Sequence, residues 1–212
     1  MSKAGMGGSR AMADMAAELG YEFAMPIRRI TVHDYHRMGD AGIFDHDERL
    51  ELLDGLLIST LPIGHRHGYA ARTVANLLSY ALGDRAIIET NAPLALTPDS
   101  EPRPDVLVLR PPFALYRERL PRPADVFLLI EVSDISSGHA TTPKSRSYAE
   151  AGIEELWVVD LVEEKLVVHR DPQADGYGSR TVLRRGERVV PARFPDASIA
   201  VADFLESAAP TR

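Results

Sequence analysis

Cysteine is absent from this 212-residue chain, which excludes disulfide frameworks, zinc–thiolate sites and iron–sulfur clusters. No apolar stretch approaches the ~20 residues that span a bilayer, and the N-terminus lacks the continuous apolar core of a secretory signal. The expected compartment is the cytoplasm. Internal repeats and low-complexity tracts are missing as well. Positive charge is in deficit, with 24 Lys and Arg against 31 Asp and Glu, a net charge of -7. That balance argues against a non-specific polyanion binder. It leaves a nuclease open, because metal-binding carboxylates add negative charge and a local cleft is independent of the total.

What remains is the composition of a soluble globular protein, 45% hydrophobic and 26% charged, with enough residues to bury a core. The Gly-rich opening MSKAGMGGSR and the featureless AMADMAAELG predict a disordered segment over 1–25. A single domain is expected over 26–208. In ITVHDYHRMG, Thr31 with Asp34 three residues on forms a capping-box pattern, and Gly39 is the expected stop. RLELLDGLLIST reads as a strand hairpin turning at Asp54-Gly55. A helix of about four turns follows, its stripe formed by Ala70, Val74, Leu77, Leu78 and Ala81 and its end near Gly83.

The second half is dominated by two strongly apolar runs, FLLIEV over 127–132 and LWVVD over 156–160. Between them, TTPKSRSYAEAG carries helix signals: Thr142 as N-cap, Pro143 at the first helical position and Gly152 as the stop. Strand, helix and strand in that order predict parallel neighbours joined by a crossover. AIIETNAPLAL and DVLVL before them, and KLVVHR and SRTVLRR after them, run as a meander, and SIAVADFLESA closes the chain as a short helix. The expected fold class is α/β, with a mixed central sheet flanked by helices and a strand hairpin near the N-terminus.

Glu131 interrupts the more apolar of those strands, following Phe127, Leu128, Leu129 and Ile130. An unpaired buried carboxylate costs several kcal/mol, so it must reach water, pair, or bind a cation. Asp105 stands at the mouth of VLVL, where an Asp serves equally as a turn former. If the two strands are neighbours, Asp105 and Glu131 converge, and two close carboxylates repel unless a cation lies between them. Oxygen ligands of this kind suit Mg²⁺ or Mn²⁺. Lys144 sits in an early helical turn, where the helix dipole disfavours it. A surface lysine is one explanation; the other brings its ammonium to the metal site, one turn from Tyr148. Asp, Glu and Lys in this order point to metal-dependent phosphodiester hydrolysis, with a spacing loose enough to arise by chance.

The stretches RLELLDGLLI, PIGHRHGYAARTVANLL, SEPRPDVLVLRP, DVFLLIEVSDISS and YAEAGIEELWVVDL together resemble the Uma2 family (DUF820), a branch of the PD-(D/E)xK nuclease superfamily. The resemblance implies a restriction-endonuclease-like core. It makes Asp105 the aspartate of the PD motif and Glu131 the second acid, the two holding Mg²⁺ or Mn²⁺. The usual motif would put its lysine at 133, where this chain has Ser133, and the family supplies it from the next helix, as Lys144. Glu51 and His67 match recurrent positions; their alternatives are a solvent-facing or cross-strand residue and a structural helix start. One departure stands out. Relatives carry an aspartate in a YDRGxK-like stretch, and this chain reads HATTPK, with Ala140 in its place.

The function implied is a metal-dependent endonuclease acting on DNA, most simply as a homodimer. Arg66, Arg72, Arg184, Arg185 and Arg188 are candidate phosphate contacts, or else solvated faces. The alternative is a catalytically silent nuclease scaffold used for protein or nucleic-acid binding, which Ala140 favours and which a Lys144 salt bridge blocking the site would support. In a metal-free protein, however, the same ammonium can stand in for the cation. A phosphohydrolase of small nucleotides is a third reading, suited to the acidic charge.

Overall fold

Two hydrophobic clusters, one on each face of a six-stranded sheet, organise the chain. The structure is a computed structural model describing residues 27–45, 48–60, 64–134 and 144–205. The expected segment 1–25 and the N-cap and first-position residues Thr142 and Pro143 lie outside the described residues, as does Ala140. The sheet runs β3 (Ile87–Thr90), β4 (Val106–Leu109), β5 (Val126–Ser133), β6 (Glu155–Asp160), β7 (Lys165–Gln173) and β8 (Gly176–Arg184) in spatial order. All neighbours are antiparallel except β5 and β6, the parallel pair expected around a crossover helix.

Strand alternation explains why the central strands are apolar throughout. Leu128, Ile130 and Val132 enter the first cluster with Ala70, Val74 and Leu78, while Leu129 enters the second with Leu107, Leu156 and Tyr148. The first face is covered by α2 (His65–Leu82), with the short C-terminal α4 (Val201–Leu205) packing Phe204 edge-on against Trp157 at 5.8 Å. The second is covered by α3 (Ser145–Glu150), the crossover helix. Within α2 the buried stripe is Ala70, Ala71, Val74, Ala75, Leu78 and Leu82; Leu77 and Ala81 lie at its margin. That stripe is turned to one side of the expected one, toward Ala71, Ala75 and Leu82.

The first helix, α1 (Val32–Asp40), has the full capping box between Thr31 and Asp34. It runs past Gly39; the left-handed residue beyond its end is Gly42, at φ 68°. The hairpin, β1 (Leu50–Leu53) and β2 (Leu56–Ser59), turns at Asp54 and Gly55, both with positive φ as a tight two-residue turn requires. It is tied to the main body through Leu52, whose carbonyl accepts from Glu101 N–H at 2.8 Å. A short pair, β9 (Arg188–Val189) and β10 (Ile199–Ala200), precedes α4. AIIETNAPLAL is strand only over β3; Pro93 follows in an irregular stretch that packs Leu94 and Leu96 into the second cluster.

Gly55 tests how strictly the hairpin is placed. Its φ is 74°, and a Cβ there would stand 2.4 Å from the Cβ of Arg29. Gly55→Ala is therefore expected to destabilise the protein by about 1–3 kcal/mol through strain and clash together. Urea denaturation checks this, and an unchanged midpoint would show that the turn relaxes freely.

Candidate active site

The site forms where β5 reaches the end of the sheet. Val106 pairs with Ile130 across the antiparallel β4–β5 ladder. One further residue in that register sets Asp105, just ahead of β4, opposite Glu131. Residues opposite each other across an antiparallel pair share a face. Here it is the face of α3, because Tyr148 O–H donates to Glu131 Oε1 at 2.6 Å. Asp105 and Glu131 are each only 6% exposed. The structure thus sets the two predicted acids opposite each other on one face.

Asp105 is held at both oxygens. Val132 N–H donates to Oδ2 at 2.7 Å, and His67 Nε2–H donates to Oδ1 at 2.8 Å. The backbone that presents Glu131 therefore also fixes Asp105. His67 comes from the first turn of α2 and also faces Asp134, Nδ1 to Oδ1 3.9 Å. The hydrogen bond to Asp105 raises the His67 pKa above its ordinary value, against the opposing effect of burial.

Lys144 arrives from the crossover as the N-cap residue of α3, one position ahead of the expected helical turn. Its Nζ lies 2.6 Å from Glu51 Oε2 and 3.6 Å from Glu131 Oε1. Glu51 on β1 is buried, and its Oε2 also accepts from Arg103 N–H at 3.2 Å. Glu51 is therefore neither solvent-facing nor idle. Burial works to lower the Lys144 pKa, but Glu131 and Glu51 outweigh it and hold the ammonium charged. Glu131 is pushed up to about 7, first by burial, with Lys144 opposing and the Asp105 charge adding to the rise. Tyr148, fully buried beside that carboxylate, is raised well above an ordinary phenol by burial and then by Glu131, and so remains a donor.

All five predicted residues, Asp105, Glu131, Lys144, Glu51 and His67, meet here. Tyr148 was expected only to face the same strand, and its direct bond to Glu131 is additional. Asp134 beside His67 carried no separate signal beyond strand alternation. The candidate phosphate-binding arginines are mostly braces: Arg66 bonds the Leu161 carbonyl, Arg185 bonds Glu164 and the Leu205 carbonyl, and Arg188 bonds Ser198.

Among the described residues, no group of three or more His, Asp or Glu side chains is arranged to hold a metal ion. The donors that suit one are two, Asp105 and Glu131. Mg²⁺ is commonly held through one or two carboxylates while keeping several waters, so the pair fits such an ion. The Glu131 pKa, raised first by burial, fits as well, since a bound cation would favour the charged carboxylate.

The model of the Uma2 family, described as "Putative restriction endonuclease", matches residues 32–202. The chain belongs to the Uma2 family. Its structure is similar to the crystal structure of "a putative nuclease belonging to DUF820" from Anabaena variabilis ATCC 29413. The TM-score is 0.66 at 16% identity over 85% of this chain and 99% of that one, a likeness of fold. The expected restriction-endonuclease-like core is thus present. No curated protein matches the chain. Among the described residues no helix is long and apolar enough to cross a membrane.

The shifted groups set a pH dependence. Glu131 and His67 are both raised in the folded state, so their contributions to stability are full at low pH. They are lost as pH rises, for Glu131 between its ordinary value of 4.5 and about 7. Asp125, lowered by Arg119, acts in the opposite sense but only as pH falls below 3.8. In the presence of a chelator the protein is expected to be more stable at pH 5.5 than at pH 8, by on the order of 1–3 kcal/mol. Glu131→Gln should flatten most of that slope. Denaturation curves at the two pH values decide it, and equal stabilities in the wild type would contradict the assignment.

Proposed function

We propose that the protein is a metal-dependent phosphodiester hydrolase, an endonuclease acting on DNA. The observation that carries this reading is the convergence of Asp105 and Glu131, buried and on one face, with Lys144 reaching both Glu131 and Glu51. Membership of a family described as "Putative restriction endonuclease" supports it, and nucleases of that kind generally use divalent metals.

Asp105 and Glu131 would hold Mg²⁺ or Mn²⁺. When bound, such an ion polarises a phosphate oxygen and lowers the pKa of a water. The remaining work belongs to the side chains. His67 and the Val132 N–H keep Asp105 aimed. Tyr148 fixes the Glu131 carboxylate from behind. Lys144 donates hydrogen bonds to the attacking water and offsets the negative charge that grows on the phosphate as the P–O bond breaks. Glu51 holds the ammonium in reach until substrate takes its place.

A second reading, a catalytically silent scaffold for protein or nucleic-acid binding, is favoured by the 2.6 Å pairing of Lys144 with Glu51 and its approach to Glu131. The two differ in what a cation does. In the enzyme, Lys144 occupies the place of a missing positive charge. In the scaffold, it closes the site for good.

Cleavage of supercoiled and linear DNA with Mn²⁺ or Mg²⁺ is the direct test, with Asp105→Ala as the control against contaminating nucleases. Activity in the wild type and its loss by at least about 100-fold in the variant are expected, the scale of an effect on transition-state charge. Equal activity in the two would sink the assignment. Calorimetric titration adds a reading independent of cleavage. Glu131→Gln should keep the fold and weaken Mn²⁺ binding, whereas unchanged affinity would make Glu131 a structural residue.

The 26–208 domain and a symmetric homodimer belong to the same proposal, since two-fold assemblies are the commonest soluble oligomers and let a nuclease address two strands. Light scattering at micromolar concentration should give twice the monomer mass; the monomer mass alone would count against the dimer.

A further inference from the structure

Beside Glu51 lies a cavity of about 250 Å³ that the proposed chemistry does not use. Tyr35, Phe44, Arg49, Asn91 and Arg103 line it. Among the described residues, neither the Arg49 nor the Arg103 guanidinium has a hydrogen bond or ion pair; Arg103 is fixed through its backbone N–H on Glu51, and Arg49 through its carbonyl. Arg103 lies near enough to Tyr35 for its charge to act on the phenol. The Tyr35 and Phe44 rings sit 5.5 Å apart, tilted by 39°, and Tyr35 O–H is spent on the Leu50 carbonyl, which leaves the rings as an apolar wall. Glu48, the other acid at the rim, turns a carboxylate oxygen to the Asp45 N–H at 3.3 Å.

The cavity is coupled to the acidic site at two points. Arg103 N–H bonds Glu51, and Asn91 N–H bonds the Asp105 carbonyl at 3.2 Å. Whatever occupies it therefore lies next to the scissile position. Arg49 and Arg103 are exposed, which leaves both guanidinium forks open to a phosphate, and the aromatic wall beside them is open to a base. The volume falls below the ~300–1,000 Å³ typical of small-molecule pockets, which suits one nucleotide unit. A base inside a duplex is stacked and paired, and reaches a walled cavity only after leaving the helix.

We propose that this cavity binds the nucleotide adjoining the cleaved phosphodiester in unpaired DNA, its phosphate on Arg49 and Arg103 and its base against Tyr35 and Phe44. The protein then prefers single-stranded segments to intact duplex. This rests on the nuclease reading for its position beside the scissile bond, but its test does not require cleavage.

Fluorescence anisotropy in EDTA measures binding of a labelled single strand of roughly 12 nucleotides, and of the blunt duplex of that length. At low salt the wild type is expected to bind the single strand at least about ten-fold tighter, and Arg49→Gln and Arg103→Gln should each weaken that binding about ten-fold, the scale of one lost contact. Thermal midpoints and Mn²⁺ affinity should stay as in the wild type. Equal affinity for the two DNA forms, or single-strand binding unaltered in both variants, overturns the proposal. Metal-dependent cleavage with no arginine-dependent single-strand binding leaves the active site standing and removes the cavity. Arginine-dependent binding with no cleavage does the reverse.

Discussion

A carboxylate in the middle layer of a sheet is the constraint around which the rest of this molecule is arranged. Glu131 lies in a strand with neighbours on both edges and hydrophobic clusters on both faces. Left unpaired, it would cost several kcal/mol of the small net stability of a domain. The structure meets that cost in part, with the Tyr148 hydroxyl at one oxygen and an ammonium at 3.6 Å. Both partners come from the same short helix. A parallel pair such as β5 and β6 needs a crossover between its strands, and that crossover delivers Lys144 and Tyr148 one turn apart over the end of β5. In open α/β sheets ligands gather at the carboxyl ends of parallel strands. Here the topology that makes the site also supplies the groups that stabilise its acid.

The parts legible in the sequence were those governed by local periodicity. Alternation along 127–132 and the Pro–Asp ahead of VLVL led to two acids on one face, because strand parity and antiparallel register leave little freedom. The Asp54-Gly55 turn and the Thr31–Asp34 box were equally legible, since each is a local requirement of backbone geometry. The tertiary partners were less so. Glu51 comes from a hairpin outside the central sheet and His67 from the opposite layer. Nothing in their own neighbourhoods shows that they meet Lys144 and Asp105, and only the family resemblance singled them out. Arginines were the least legible. Arg66, Arg185 and Arg188 read as possible phosphate contacts yet brace carbonyls and side chains, while Arg103, which nothing in the sequence distinguished, carries a guanidinium next to the site with no hydrogen bond or ion pair among the described residues.

The balance of charge at the site is what separates an enzyme from a scaffold. Three buried carboxylates, Glu51, Asp105 and Glu131, face one ammonium and one imidazole. With Lys144 and His67 both charged, the count is still one negative charge in excess; burial first, and then the Asp105 charge against the opposing Lys144, raises the Glu131 pKa. A scaffold with no need of a cation gains nothing from that excess, because a glutamine at 131 would keep the Tyr148 hydrogen bond without the charge. An enzyme needs it, since a divalent ion held by oxygens is favoured by the same repulsion that penalises the empty pair. Ala140, where relatives carry an acid, lies outside the described residues. A buried carboxylate in excess of its cations is thus what the enzyme reading explains and the scaffold reading leaves without a reason.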